Sequence, residues 1–387
     1  MLKIILILFI LIPNILFQQI KLSGEDSEVS LDDSSKVKRS IFEGQIKKWK
    51  TNLKFLITKN VTQTSVILNA LRKIENETCF NFEQIYSLPP YEQVIEFVDG
   101  HVCKTLIGNK HGDEVHYIFI DDACATNYGK IQLLVGSLLG MLSQEFRPNR
   151  DEYIKLVYEN LNDQFINYLQ KYEDKTKYYG LDFDYASLLN YGSTAFSKNG
   201  EKTLVPIRSW YENMLGQRIR LVFNDYKLLN LHYCGNQIKG DLKCKNMGYI
   251  DPKNKKRCKC PNGFTGVLCE KIRKSDKECG NTKMTTNCTY NDLIIKGKKS
   301  CTHEIIAPKG YRIVTFIKSV STPYQSPCLE NMGIEIKYRK DWGVMGLCLC
   351  GTYRRYRLVS ETNKVLVMYN GTRSDDKVIL QFKRILN

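Results

Sequence analysis

The sequence predicts an α+β region, then a small cystine-held module, then a β-sandwich. Three observations point there. Apolar residues recur with helical period at Val66, Ile67, Ala70, Leu71 and Ile74, and strand-like runs flank them. After Cys234 the texture becomes basic and rich in Gly, Asn and Cys, too small to fold without staples. From about Cys279 short apolar-rich runs recur at 313–317, 334–338 and 364–368, the spacing of a sandwich. A chain of 387 residues is long for one domain, so two or three are expected.

Taken in order, Lys3 precedes an apolar run from Ile4 to Phe17 that Pro13 and Asn14 interrupt. That is a secretory signal pattern, assigned to 1–17, and no later segment has the length of a membrane span. Residues 18–39 are polar and acidic-rich and end on Lys38-Arg39, the form of a removable pro-segment, so a mature chain is expected to start near Ser40. Leu53 to Ile57 reads as a strand, 63–77 as an amphipathic helix, and 93–98 and 115–120 as strands with clustered β-branched and aromatic residues. Leu133 to Leu142 is apolar nearly all round, the mark of a buried helix. The rest of the stretch to Cys234 has little periodicity and is expected to be irregular.

Fourteen cysteines, all between Cys79 and Cys350, imply a disulfide framework rather than metal thiolates. The sequons at Asn60, Asn76, Asn287 and Asn370 agree with an extracellular chain. A net charge of +16 suggests acidic partners such as glycosaminoglycans or anionic cell surfaces. The cations are scattered and interleaved with acids, as in Tyr338-Arg339-Lys340-Asp341, so a solvated basic surface is the plainer reading. No nucleic-acid module is visible.

Longer motifs narrow the field. Arg147-Pro148-Asn149-Arg150-Asp151, the run Tyr185-Ala186-Ser187-Leu188-Leu189-Asn190-Tyr191-Gly192, and Gly216-Gln217-Arg218 leading to Asp225 and Cys234 resemble the astacin family, a branch of the metzincin zinc proteases. The likeness covers 40–234 and implies an astacin-like protease fold with a mixed sheet and a buried active-site helix. The family signature is H-E-x-x-H-x-x-G-x-x-H followed by E-x-x-R-P-x-R-D. Two His at i and i+4 share a helical face, Gly turns the chain, and the third His completes a zinc site open to water. The Glu takes the proton from that water.

Counting back from Arg147 without gaps, the His positions hold Leu133, Ser137 and Ser143, and the Glu position holds Leu134. The turn glycine remains as Gly140, Leu189 stands where the family has the methionine beneath the metal, and Tyr191 matches its extra metal-reaching tyrosine. Gln144 replaces the Glu that in the family pairs with the freshly cleaved N-terminus, and Phe42-Glu43-Gly44-Gln45 resembles the inhibitory F-x-G-D with Gln for the zinc-binding Asp. Leucine has no lone pair and serine is a poor zinc ligand, so neither zinc nor catalysis is expected. The histidines, His101, His111, His116, His232 and His303, form no i, i+4 pair and read as solvated or structural. Tyr191 is left with packing or a hydrogen bond.

The resemblance implies Cys79–Cys234 and Cys103–Cys124. In the chain-entropy model the longer bridge removes on the order of 4–5 kcal/mol of unfolded-state entropy. Cys244, Cys258, Cys260-Pro261-x-Gly263 and Cys269, within 235–270, resemble an EGF-like module that has lost one bridge and keeps Cys244–Cys258 and Cys260–Cys269. Cys301-Thr302-His303-Glu304-Ile305-Ile306-Ala307-Pro308-Lys309-Gly310, within 279–387, resembles a CUB domain. Its expected bridges are Cys279–Cys301 and Cys328–Cys350, with Cys288 left to Cys348, and its calcium-binding Asp-Tyr is not evident before Ile334. The expectation is a secreted, inactive protease homologue that binds extracellular protein or peptide partners; the alternative is an active zinc metalloendopeptidase.

Overall fold

The computed structural model describes residues 28–30, 41–42, 47–171 and 177–387. The signal and nearly all of the pro-segment, with Lys38-Arg39 and Glu43 to Gln45, lie outside them.

The first part is built on a mixed sheet. β1 (Glu28–Ser30), β2 (Asn52–Ile57), β3 (Asn81–Gln84), β4 (Val94–Asp99), β5 (Lys104–Leu106) and β6 (Val115–Ile120) lie in the order β1-β5-β6-β4-β2-β3. Only the β5–β6 pair is antiparallel. α1 (Thr64–Glu77) buries Ile67, Ala70, Leu71 and Ile74, the stripe that its period promised. After the short α2 (Asp122–Ala125) comes α3 (Tyr128–Leu138). The Asn127 side chain accepts from Lys130 N at its start, and Trp49 Nε1 donates to Leu138 O at its end, 2.7 Å away.

α3 corrects the expected 133–142. It begins five residues earlier and stops at Leu138, because Gly140 turns the chain at φ +90 and Met141 pairs antiparallel with Ile41. The stretch beyond is irregular as expected, apart from the short pair β7 (Ile154–Leu156) and β8 (Leu204–Pro206), until α4 (Phe223–Tyr233). α4 is buried on nearly every side, including Asn224, Asp225, Lys227, Asn230 and His232, so it shows no apolar stripe. Cys79–Cys234 ties the end of α1 to the end of α4, and Cys103–Cys124 closes the loop before α3.

Two small hairpins follow: β9 (Tyr249–Ile250) with β10 (Cys258–Lys259), and β11 (Phe264–Thr265) with β12 (Lys271–Ile272). Cys244–Cys258 and Cys260–Cys269 hold them.

The C-terminal part is a β-sandwich. β13 (Lys283–Thr285), β15 (Lys299–Ile306), β20 (Lys364–Gly371), β17 (Gly333–Lys337) and β18 (Leu347–Leu349) make one sheet, in that order. β14 (Asn291–Lys296), β21 (Lys377–Leu386), β16 (Tyr311–Ser321) and β19 (Thr352–Val359) make the other. One cystine joins Cys279 to Cys301. The expected Cys288–Cys348 bridge is not formed: Cys288 is exposed and free, while the Cys348 and Cys350 sulfurs both lie beside that of Cys328. Cys348 lies on β18 and Cys350 just past its end, two residues on, and their sulfurs stand 3.8 Å apart.

The sandwich is fused to the first part. Arg339 donates to Phe183 O at 2.6 Å, Asp184 accepts from Met345 N at 3.1 Å, and Asp341 accepts from Asp182 N at 3.0 Å. Tyr211 and Tyr338 share a hydroxyl bond of 2.9 Å, and one continuous apolar cluster runs from Leu142 and Tyr191 to Phe382.

Candidate functional site

α3 and the irregular chain after it converge on one small pocket. Leu133, Ser137, Met141, Leu142, Ser143, Phe146, Ile107, Tyr168, Leu189, Tyr191 and Arg218 line it, around a cavity of about 20 Å³, room for roughly one water. Positions 133 and 137 share a face of α3, and Gly140 swings the chain back so that Ser143 meets them. Of the positions counted from the sequence, Leu133, Ser137, Ser143, Leu189 and Tyr191 are brought together here. Leu134 is not: it is fully buried in the core instead.

The floor is a tight turn, Ser187 to Asn190, pinned from two sides. Asp225 accepts from Ser187 Oγ at 2.7 Å, Leu188 N at 3.1 Å and Val222 N at 3.0 Å. Asn190 donates to Asp184 O at 2.8 Å and accepts from Gln144 N at 3.2 Å. Arg218 adds bonds to Leu188 O at 3.1 Å and Asn190 O at 2.7 Å. Its loop lies against α3 at Gly129, where a Cβ would stand 2.0 Å from Arg218 O, so only glycine permits the approach.

Tyr191 is held at three points. Its hydroxyl meets that of Tyr168 at 2.7 Å, its N–H donates to Glu145 Oε1 at 3.1 Å, and its ring packs edge-on to Phe146 and Phe196. Burial holds the Glu145 carboxyl up at about 8, and its second oxygen has no partner. Asp184 is raised to about 7 by burial and by Asp225 beside it, and burial raises Asp225 to about 6. The Gln144 side chain does not line the pocket and accepts from Arg147 at 3.0 Å.

The donor set does not fit zinc. Leucine, serine, tyrosine and one arginine line the pocket, with no imidazole, thiolate or carboxylate among them. Ser143 Oγ is buried there with no hydrogen-bond partner. Among the described residues, three-ligand groups occur only around cystines, at Cys103-Asp121-Cys124 and Cys328-Cys348-Cys350. His116, tilted against Trp49, has Nδ1 2.9 Å from Glu114 O and Nε2 accepting from His111 N at 3.4 Å, and burial lowers it to about 4. His232, hydrogen-bonded to the Tyr179 hydroxyl at 2.9 Å, is lowered by burial to about 3.

Two lining residues carried no site signal in the sequence. Tyr168 lies in an aperiodic stretch, and Arg218 stood inside a family-like motif without a role. Phe42, the first residue of the inhibitory-like run, also comes close. Phe42 N donates to Gly140 O at 2.7 Å, and its ring packs against the cluster that holds Tyr191. Ile41, fully buried, exchanges backbone bonds with Lys177 at 3.2 and 3.1 Å. The chain's own segment thus lies along the exit from α3. Of the sequons, Asn60, Asn76 and Asn287 are exposed, whereas Asn370 is half-buried and its amide donates to Asn331 O at 2.6 Å.

Comparison with known proteins places residues 42–234 on the family model described as Astacin, a family of peptidases. The chain is similar to zinc metalloproteinase nas-34 of Caenorhabditis elegans, 30% identical over 86% of this chain and 55% of the relative. It is also similar to zinc metalloproteinase nas-36 of Brugia malayi, 33% identical over 82% of this chain and 55% of the relative. The chain thus spans a little over half the length of these relatives. Among solved structures, high choriolytic enzyme 1 of Oryzias latipes matches with a TM-score of 0.42 and 22% identity, over 53% of this chain and 98% of that one.

Proposed function

Residues 42–234 belong to the astacin family of peptidases, and from that premise we propose that the protein is a secreted pseudoprotease that acts by binding extracellular partners. One observation carries the reading: the pocket under the turn at Gly140 is lined by Leu133, Ser137 and Ser143, with the Arg218 cation on its wall. A family-like frame thus encloses a set of side chains that neither binds zinc nor moves a proton.

On this reading the hairpin pair is an EGF-like module and the sandwich a CUB domain, and the glycans sit at Asn60, Asn76 and Asn287. The many cystines fit an extracellular chain. The surface around the pocket and the two following modules then contact protein or peptide partners.

The test is direct. Purified protein should carry no stoichiometric zinc by elemental analysis, and casein or gelatin should survive prolonged incubation. Chelator-sensitive cleavage of either substrate defeats the proposal and restores the alternative, an active zinc metalloendopeptidase.

A further inference from the structure

The sandwich turns one face of its four-stranded sheet away from the core. Register places Arg357 beside Phe316, and Arg354 beside Ser319. Between those pairs lie Lys318 and Arg355, both skipped by the ladder, Lys318 at a bulge against β21 and Arg355 at φ +64. Farther across the same face, Lys377 pairs with Lys296. All but the half-buried Lys377 are exposed. Among the described residues none of the six has an ion-pair partner, and the register leaves a single carboxylate on this face, Asp292, which accepts from Gln381 at 2.8 Å.

Two costs meet at one spot. Like charges facing each other across an antiparallel pair repel. A non-glycine residue in the left-handed region is strained. Among the described residues no carboxylate pairs with these cations, so an anionic group from outside would relieve their repulsion.

We propose that this face, centred on Arg354, Arg355 and Arg357, binds a sulfated polysaccharide. Guanidinium forks match the paired oxygens of a sulfate, and three of them on the edge strand β19 lie open to a linear chain laid along the sheet. Tyr353 and Tyr356 flank Arg354 and Arg355 and turn inward, Tyr356 against Trp210, which fixes the strand that presents them. An anionic membrane is the poorer fit, because the one strongly exposed large apolar side chain on this face is Ile294. The cations come from four strands far apart in sequence, so a linear reading sees only scattered charge. The surface stands apart from the pocket and does not depend on whether the protein is a protease.

Binding of the full chain to heparin, titrated over a range of salt, tests this. R354Q/R355Q/R357Q should bind about tenfold or more weakly, with the slope of log affinity against log salt reduced by about two. K59Q/K239Q/K256Q removes the same charge at exposed sites elsewhere and should leave affinity within about threefold. R354K/R355K/R357K, which keeps charge but loses the forks, should fall between. Melting curves confirm that each variant is folded. Equal losses from both glutamine triples, equal binding of desulfated heparin, or capture by phosphatidylserine vesicles without heparin binding would each overturn the proposal.

Discussion

The hydroxyls of Tyr168 and Tyr191 lie 2.7 Å apart beside the pocket, so Tyr191, which the sequence resemblance matches to a metal-reaching tyrosine, meets another tyrosine. Burial pushes the Tyr168 hydroxyl well above its ordinary value, so it keeps its proton, and one hydroxyl of the pair donates to the other. Tyr191→Phe should cost about 1 kcal/mol by denaturant titration. In a double-mutant cycle with Tyr168→Phe, the second change should add less than it costs alone. Strict additivity would mean the bond contributes nothing.

Restoring chemistry takes the whole constellation. Leu134 is fully buried, so Leu134→Glu alone should destabilise the fold by on the order of 4 kcal/mol and add no proteolysis. Leu133→His, Ser137→His and Ser143→His together place three imidazoles around the pocket and should bind zinc. Without the base they should remain about 10²–10⁴-fold slower than the quadruple revertant. Zinc stoichiometry and casein turnover across the series check both statements.

Stability should fall as pH rises from about 7.5 to 8.5, above the unfolded histidine value of about 6.5, so that the histidines are nearly all neutral both folded and unfolded. Glu145 is held at about 8 by burial, above its unfolded value. Its contribution is therefore complete below the unfolded pKa and is lost as pH climbs through the folded one, at roughly 1 kcal/mol per pH unit. Glu145→Gln should flatten melting temperature across that window. An unchanged slope in the variant would assign the trend to other groups.

Thiol counting should find two per chain. Cys288 is exposed and should label in the native state. Cys328 can bond to only one of Cys348 and Cys350, whose sulfurs are 3.8 Å apart, so a second, buried thiol should label only after denaturation without reductant. A chain with no thiol in either state would restore the pairing expected from the sequence.

The sequence was legible where burial is one-sided. α1 shows its stripe because its other face is wet, and β4 and β6 show runs dense in β-branched and aromatic residues. α3 gave its presence but not its ends, since a helix apolar all round carries no phase and its stop depends on a backbone angle at Gly140. α4 was missed because tertiary contacts bury its polar residues as well as its apolar ones. At the site, frame counting found Leu133, Ser137 and Ser143, which sit on or just after one helix. Tyr168 and Arg218 reach the pocket from separate loops, and only the fold brings them there. The last bridge failed for a similar reason: pairing by elimination assumes that no two cysteines compete for one partner.

Ile41 also bears on how the chain can be processed. It lies two residues past Arg39, is fully buried, and is bonded on one edge to Lys177 and on the other to the turn at Gly140. A processing protease that reads Lys38-Arg39 must hold extended backbone on both sides of the bond it cuts. In the folded chain the downstream half of that grip is inside the protein. Cleavage must then precede folding of this corner or wait for the short strand to peel away. Were Lys38-Arg39 a processing site, its cleavage would thereby be timed against the folding of this corner.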